Sequence, residues 1–296
     1  MIIVRLSGGI GNQMFQYAAG RSLATLRKVP LKLDLSGFKN TAAGDTIRSF
    51  ALGTFAITAE SAQPEEVREL CGTHGNPRAK TMQNLADRLV PMPFKTRFRE
   101  PHFHYTPDLL RLGNNVYLDG FWQSEKYFRD VRQIIQDEFS FRKPLTGENA
   151  TMAENIASCS AVALHVRRGD FEANPVTNRY HGTCPPEYYR QAMTLVSGMV
   201  SNPHFFIFSD DPAWCRKNLD PSRAMTFVDH NTTDSADEDL RLMSLCGHAI
   251  IANSSFSWWG AWLIHNPDKV VVAPHKWFNE RTINTDDLIP SSWRRI

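Results

Sequence analysis

The 296-residue chain has little of what would place it quickly. It has five cysteines, an odd count, and none lies in a Cys-x-x-Cys pair: Cys71, Cys159, Cys184, Cys215 and Cys246 stand apart. That pattern argues against a disulfide framework and a zinc site, and leaves reduced thiols as the plain reading. No run of about 18 apolar residues exists, so no segment reads as a membrane-spanning helix. Charge of one sign is missing too, with 33 Lys+Arg against 31 Asp+Glu and a net of +2. Without a dense basic stripe, an electrostatic nucleic-acid binder is excluded. The opening residues Met1-Ile2-Ile3-Val4-Arg5-Leu6 lack a basic n-region and a small-residue cleavage site. They read as a strand, not a signal peptide, and the cytoplasm is the expected location. The Asn-x-Ser/Thr triplets at Asn149, Asn231 and Asn253 therefore carry no weight.

What is present is an ordinary globular composition, 42% hydrophobic and 22% charged. A chain this long buries about 75% of its unfolded surface and needs no metal to hold a core. Short β-branched runs alternate with helical stretches. Expected strands lie at 2–6, 31–35, 116–119, 161–166, 204–209, 225–229, 248–252 and 269–273, and expected helices at 13–26, 125–139, 186–199 and 235–245. Nearly all-apolar strands alternating with helices imply parallel sheets covered on both faces. The polar stretch Arg142 to Asn149, with Pro144 and Gly147, reads as a boundary. It gives an N-terminal domain over 1–145 and a C-terminal domain over 146–296, with the tail open to packing back on the first. Residues 40–110, rich in Pro, Arg and Phe, take no assignment.

Four constellations carry chemistry. Gly8-Gly9-Ile10-Gly11-Asn12-Gln13 follows the first strand and opens a helix, a place where backbone amides capture phosphate or polar ligands. Asp34 lies where a dinucleotide fingerprint would put its ribose carboxylate, but Met14 occupies the third glycine position, and a plain tight turn capped by Asn12 competes. His165-Val166-Arg167-Arg168-Gly169-Asp170 ends a buried strand, where open α/β sheets bind ligands. Two adjacent arginines there call for an anion such as a diphosphate, whose oxygens guanidinium matches bidentately. An Arg168–Asp170 surface pair is the bland alternative. Phe208-Ser209-Asp210-Asp211 runs a strand into carboxylates that could read guanine, hold a metal or cap a helix before Pro212. The Asp237-Glu238-Asp239 cluster imitates a metal-binding Asp-x-Asp, but a helix start explains it more simply. Finally, Asn253-Ser254-Ser255-Phe256-Ser257-Trp258-Trp259-Gly260-Ala261-Trp262 ends a strand and opens a helix. Its hydroxyls and amides form a second anion cradle, with the tryptophans read as core.

Together these runs, with Trp122-Gln123-Ser124-Glu125-Lys126-Tyr127-Phe128 and His181 to Cys184, resemble the bacterial alpha-1,2-fucosyltransferase family. The resemblance implies an α/β fold of GT-B type, two Rossmann-like domains with the active site in the cleft between them. It implies GDP-fucose in the C-terminal half, an acceptor ending in galactose on the N-terminal half, inversion at the fucose C1, and no obligatory metal or cofactor. Arg167 matches the pyrophosphate arginine, while His165 and one of Asp210 or Asp211 match nucleoside contacts. Ser254, Ser255 and Phe256 match second-phosphate and base contacts, and Asn12 the asparagine of the Gly-Asn-Gln motif. The candidate catalytic residues are thus Arg167, Asp170 and Asn12. The candidate donor contacts are Gly11, Gln13, His165, Arg168, Asp210, Asp211, Asn253, Ser254, Ser255 and Phe256.

Fixed donors aimed at the charge developing on GDP are the expected source of catalysis. The proton acceptor for the attacking hydroxyl stays open among Asp170, Asp34, Glu187, His181 and a relay through substrate. Two rivals stand beside the transferase: an NAD-dependent oxidoreductase, which leaves the paired arginines unexplained, and a non-catalytic nucleotide-sugar-binding module. Basic residues beside aromatics at Lys95–Arg99 and Trp293–Ile296 raise peripheral contact with the inner membrane and a lipid-linked acceptor, against an ordinary surface or internal ion pairs.

Overall fold

The computed structural model describes residues 1–38, 48–71, 90–169, 172, 174–232, 235–280 and 282–296. The chain divides into two compact units, Met1–Ser140 with Asp286–Leu288, and Phe141–Thr285 with Ile289–Ile296. The boundary falls at 140/141, and the tail splits: three residues group with unit 1, and the last eight stay with unit 2. The expected linker 142–149 is only partly a linker, because a helix begins at Gly147.

Unit 1 is built on a five-stranded sheet in the order β3-β2-β1-β5-β4, every pair parallel. The strands are β1 (Ile2–Arg5), β2 (Leu31–Asp34), β3 (Glu60–Ser61), β4 (Arg97–Arg99) and β5 (Val116–Asp119). Helix α1 (Ile10–Arg27) follows β1, and α2 (Pro64–Cys71) follows β3. Gly8 turns the chain at φ +75, a conformation that costs glycine nothing, and Gly9 is the N-cap of α1. Asn12 therefore lies inside the helix and does not cap it. A Cβ on Gly20 would meet Leu31 at 3.0 Å and Val4 at 3.2 Å, so α1 lies tightly on β1 and β2. Met14, Phe15, Tyr17 and Ala18 are fully buried there, each large apolar side chain worth roughly 1.5–3 kcal/mol.

The helix expected at 125–139 is broken. Two 3₁₀ turns cover Glu125–Tyr127 and Arg129–Val131 before α3 (Arg132–Glu138). Between them Phe128 leaves helical geometry, at ψ 10, and its ring packs 6.2 Å from Phe15. Core docking of one aromatic overrides the local propensity.

Unit 2 carries a six-stranded sheet in the order β11-β10-β9-β6-β7-β8, again parallel at every pairing. Its strands are β6 (Ser160–Val166), β7 (Pro203–Ser209), β8 (Met225–Val228), β9 (His248–Ile250), β10 (Val271–Ala273) and β11 (Arg294–Arg295). Its helices are α4 (Gly147–Ala157), α5 (Pro175–His181), α6 (Pro186–Ser197), α7 (Pro212–Asn218), α8 (Ala236–Leu245) and α9 (Ser255–Trp262). From Ala161 to Val166 every residue of β6 is buried, as a strand covered on both faces must be. The Tyr188 hydroxyl donates to the Ile251 carbonyl at 2.6 Å, tying α6 to the end of β9. Trp258, Trp259 and Trp262 are core, as expected, and Trp293 packs 5.4 Å from Trp258.

Candidate functional site

Both sheets present functional side chains where their central strands end. In unit 2, β6 and β7 run in register, with His165 beside Phe208 and Val166 beside Ser209, so the residues just beyond them meet. Asp210 Oδ1 accepts the Arg168 backbone N–H at 2.8 Å, and its Oδ2 pairs with Arg167 Nη1 at 3.1 Å. A Cβ on Gly169 would lie 2.6 Å from Asp210 Oδ2, so the Arg-Arg-Gly turn closes onto this carboxylate only with glycine. Arg167 stays about a quarter exposed beside it.

Arg168 behaves differently from the expected diphosphate grip. Its guanidinium lies 4.3 Å over the Trp214 ring, bonds to Glu172 and approaches Asp211 at 3.8 Å. It is spent on α7 and its surroundings. Asp211 is the N-cap of α7, its Oδ1 accepting the Trp214 N–H at 2.9 Å. Of the three readings left open for the Asp210-Asp211 run, the helix cap is the one that the Asp211 hydrogen bond bears out.

His165, at the end of β6, is buried, and its Nδ1 has no partner within the described chain. Burial, with the Arg167 charge adding, holds its pKa down at about 3, so the ring is neutral at ordinary pH. The Phe256 ring lies 5.3 Å away, in the first turn of α9. Ser254, Ser255 and Phe256 are half-buried there, and Ser254 is the N-cap without a side-chain capping bond. The opening amides of a helix lack intrahelical acceptors and carry its positive dipole end. An orphaned imidazole nitrogen, a partly exposed arginine and a helix N-terminus thus converge on one strand end. Asn253 does not join them: its amide donates to the His181, Gly182 and Trp277 carbonyls at 3.0–3.2 Å and accepts from the Cys184 thiol. It bolts loops together. Asp170 lies outside the described residues.

In unit 1, the expectation for Gln13 is likewise corrected. Its side chain is fully buried, donates to the Gly8 and Ser49 carbonyls and accepts the Ala51 N–H, all at 2.8–2.9 Å. No face remains for a nucleotide. Gly11 is buried within α1. Asn12 Oδ1 accepts the Gln123 amide at 2.9 Å, joining the ends of β1 and β5. Asp34 drops out as a proton acceptor, because it is buried and accepts from Ser36 and the Tyr117 hydroxyl. Glu187 is exposed and paired with Arg190.

Sequence reasoning missed Glu100, one residue past β4. It lies in the unassigned stretch 40–110 and forms no motif with its neighbours. Its oxygens accept the Phe121 and Trp122 backbone N–H groups at 2.7 and 3.0 Å, and burial pushes its pKa up to about 7.

The basic–aromatic clusters are largely absorbed by the fold. Arg97 pairs with Asp119, Trp293 is buried, and Arg295 bonds to Thr285 and the His275 carbonyl. Asp237, Glu238 and Asp239 form the first turn of α8. Asp239 accepts from Asn231, and burial lifts its pKa to about 6. Among the described residues no helix is long and apolar enough to cross a membrane.

The glycosyl transferase family 11 model matches residues 98–296. An alpha-1,2-colitosyltransferase of Escherichia coli is 32% identical over all of this chain and 99% of its own length. An O-antigen biosynthesis glycosyltransferase of the same organism, WbnK, is 31% identical over 97% of this chain and 98% of its own. A galactoside alpha-(1,2)-fucosyltransferase 1 of Sus scrofa is 29% identical over 49% of this chain and 42% of its own. The structure is similar to that of the fucosyltransferase NodZ from Bradyrhizobium, with a TM-score of 0.50 over 88% of this chain and 90% of that one at 16% identity, a likeness of fold.

Proposed function

The chain belongs to glycosyl transferase family 11, a nucleotide-sugar glycosyltransferase of GT-B type, and from that premise we propose that it moves L-fucose from GDP-β-L-fucose to the 2-hydroxyl of a terminal galactose. The transfer inverts the donor's β linkage to an α-1,2 linkage. The observation that carries the donor half is the convergence at the end of β6: Arg167, the first turn of α9 and the orphaned His165 nitrogen. Breaking the sugar–phosphate bond puts negative charge on GDP, and fixed donors aimed at that charge are the largest catalytic term such a site can supply. Asp210 holds the arginine in place, and the neutral His165 adds a hydrogen bond without charge.

Galactose as acceptor and fucose as donor are supported by the Sus scrofa relative and by the resemblance of the motifs. The colitosyltransferase relative favours a second donor, GDP-colitose, whose sugar lacks only the 3-hydroxyl of fucose. The same residues would serve both. Incubation with each donor and a β-galactoside, followed by product NMR, tests the reading. A 1,2-linked α-fucoside is the expected product. Turnover of only the colitosyl donor would replace the donor, and release of GDP without any glycoside would remove the acceptor.

Activity is proposed to be independent of divalent metal, since arginine and helix amides already supply positive potential. Full activity in EDTA is the expected result. Loss on chelation with recovery in magnesium would return Asp237 and Asp239 to candidacy. The setting we propose is cytoplasmic, and pelleting with anionic vesicles tests whether the acceptor is met at a membrane.

A further inference from the structure

Unit 1 gathers positive charge where β1, β4 and β5 end. The parallel register sets Arg99 beside Asp119 and Val4 beside Leu118, so Arg5, Asp119 and Arg99 stand next to one another at those strand ends. Side chains alternate along a strand, so the three share a face with Ile3, Tyr117 and Arg97, two residues back. On that face Leu70 and Cys71 of α2 pack against Ile3 and Tyr117. The helix covers the apolar part of the face, and the arginines occupy the strand ends beyond it.

Asp119 alone answers three cations. Arg5 Nη1 lies 3.3 Å from its Oδ1, while Arg97 Nη2 and Arg99 Nε lie 3.4 and 3.5 Å from its Oδ2. A charge-assisted N–H···O bond usually spans about 2.7–2.9 Å, so none of the three pairs is tightly closed. Among the described residues no other carboxylate pairs with these arginines. Asp34, in register with Arg5, spends its oxygens on the Ser36 N–H and hydroxyl and on the Tyr117 hydroxyl. Lys32, on the same face, pairs with Glu66. Three guanidiniums against one carboxylate leave two positive charges crowded together, and they repel one another. Arg97 gives the sharper sign. Its side chain is only 20% exposed, yet its Nε is buried with no partner within the described chain. A buried donor left unpaired carries a desolvation cost that a ligand oxygen would remove. Arg5 and Arg99 are 39% and 74% exposed, so their remaining N–H groups are open to solvent.

We propose that this edge of unit 1 binds a phosphoryl group through Arg5, Arg97 and Arg99, at a site distinct from the Arg167 edge of unit 2. The charge balance selects the ligand class. A phosphate monoester carries about −1.5 to −2 and offers three strong acceptor oxygens, which matches the surplus charge and gives each guanidinium an oxygen. A carboxylate, with two oxygens, is filled by a single guanidinium fork. The carboxyl ends of parallel strands are also where open α/β sheets take their ligands. Asp119 is then a positioning residue, which holds the arginines together while their outer N–H groups face the phosphoryl oxygens. The site does not depend on which sugar the protein transfers.

Inorganic phosphate titrated by calorimetry into the full chain carrying Arg167→Ala, which withdraws the β6 arginine as a competing ligand, tests the assignment. Saturable binding is expected. Adding Arg97→Met to that background should weaken it about tenfold, and adding the exposed Arg99→Met about threefold. Acetate should bind at least about tenfold more weakly than phosphate. No saturable phosphate binding, unchanged affinity in either methionine variant, or acetate binding as tightly as phosphate overturns the proposal. If Arg97→Met unfolds by circular dichroism, Arg99→Met decides alone, because Arg99 pairs only with Asp119 among the described residues. Competition then identifies the source of the phosphoryl group. Displacement of phosphate by glycerol phosphate supports a soluble ester, and displacement by phosphatidic acid vesicles alone supports a lipid headgroup. Displacement by neither overturns the site.

Discussion

Two strand ends in this molecule share a topology and differ in charge. In each unit a parallel sheet delivers the loops after two neighbouring strands to one edge, and in each a glycine lets the chain close on a carboxylate. At the end of β6 the glycine is Gly169, the carboxylate is Asp210, and the Arg167 guanidinium and the Arg168 backbone N–H hold it. At the end of β4 and β5 the glycine is Gly120, the carboxylate is Glu100, and the Phe121 and Trp122 backbone amides hold it. Asp210 faces Arg167 and has work to do as an ion. Burial lifts Glu100 toward neutrality. The fold supplies an edge in each unit, and the side chains decide what charge that edge carries.

Arg167→Ala is the substitution most able to break that contrast. Losing a charge-assisted donor to the leaving diphosphate should cost about 3 kcal/mol, or 10²–10³ in kcat/KM, with the fold unchanged by circular dichroism. Arg167→Lys should recover little, because a point charge cannot grip two oxygens. An alanine variant with more than half the wild-type rate would mean that the β6 edge is not the donor site.

Gln13→Ala sharpens the difference between a structural and a ligand-facing amide. Three buried hydrogen bonds are lost or left unpaired, so urea unfolding should show a loss of about 1–3 kcal/mol. GDP affinity should stay within twofold, and a large drop in it would restore Gln13 as a donor contact. Asp210→Asn comes next. It keeps one acceptor for the Arg168 N–H but loosens Arg167, and a fall of about tenfold in kcat/KM is expected, with weaker GDP binding.

The smallest effects are in stability against pH, and the two edges should oppose one another. His165 is lowered to about 3 in the fold, so the unfolded chain takes up its proton first and stability is lost as pH falls below about 6.5. Glu100 is raised to about 7, so the folded chain binds the extra proton and stability declines as pH rises from about 4.5 toward 7. Asp239, raised to about 6, adds to the second limb. Urea midpoints should show His165→Phe flattening the acid limb and Glu100→Gln flattening part of the other. Identical profiles for wild type and both variants would refute the burial of these groups.

Most of unit 2 was legible because its chemistry is contiguous. His165 to Gly169 and Ser254 to Trp262 each occupy one strand end and the turn after it, so spacing alone puts them at a sheet edge. The roles inside those runs were less legible. Arg168 has a local partner four residues on in Glu172, but the Trp214 ring that covers its guanidinium comes from elsewhere in the chain. The same holds for Asn253, read as a ligand contact by its position among serines and spent on three distant carbonyls. The helix expected at 125–139 breaks because Phe128 docks on Phe15, a contact that periodicity does not register.

The sequence by itself determined the alternation of strand and helix, the parallel sheets and the placing of an anion cradle after β6, since hydrophobic period and turn chemistry are local. Only the tertiary structure decided which polar groups remain available to a ligand. A buried donor or acceptor must be paired, and its partner lies anywhere in the chain: Gln13 with Ser49, Asp34 with Tyr117, Glu100 with the amides of Phe121 and Trp122.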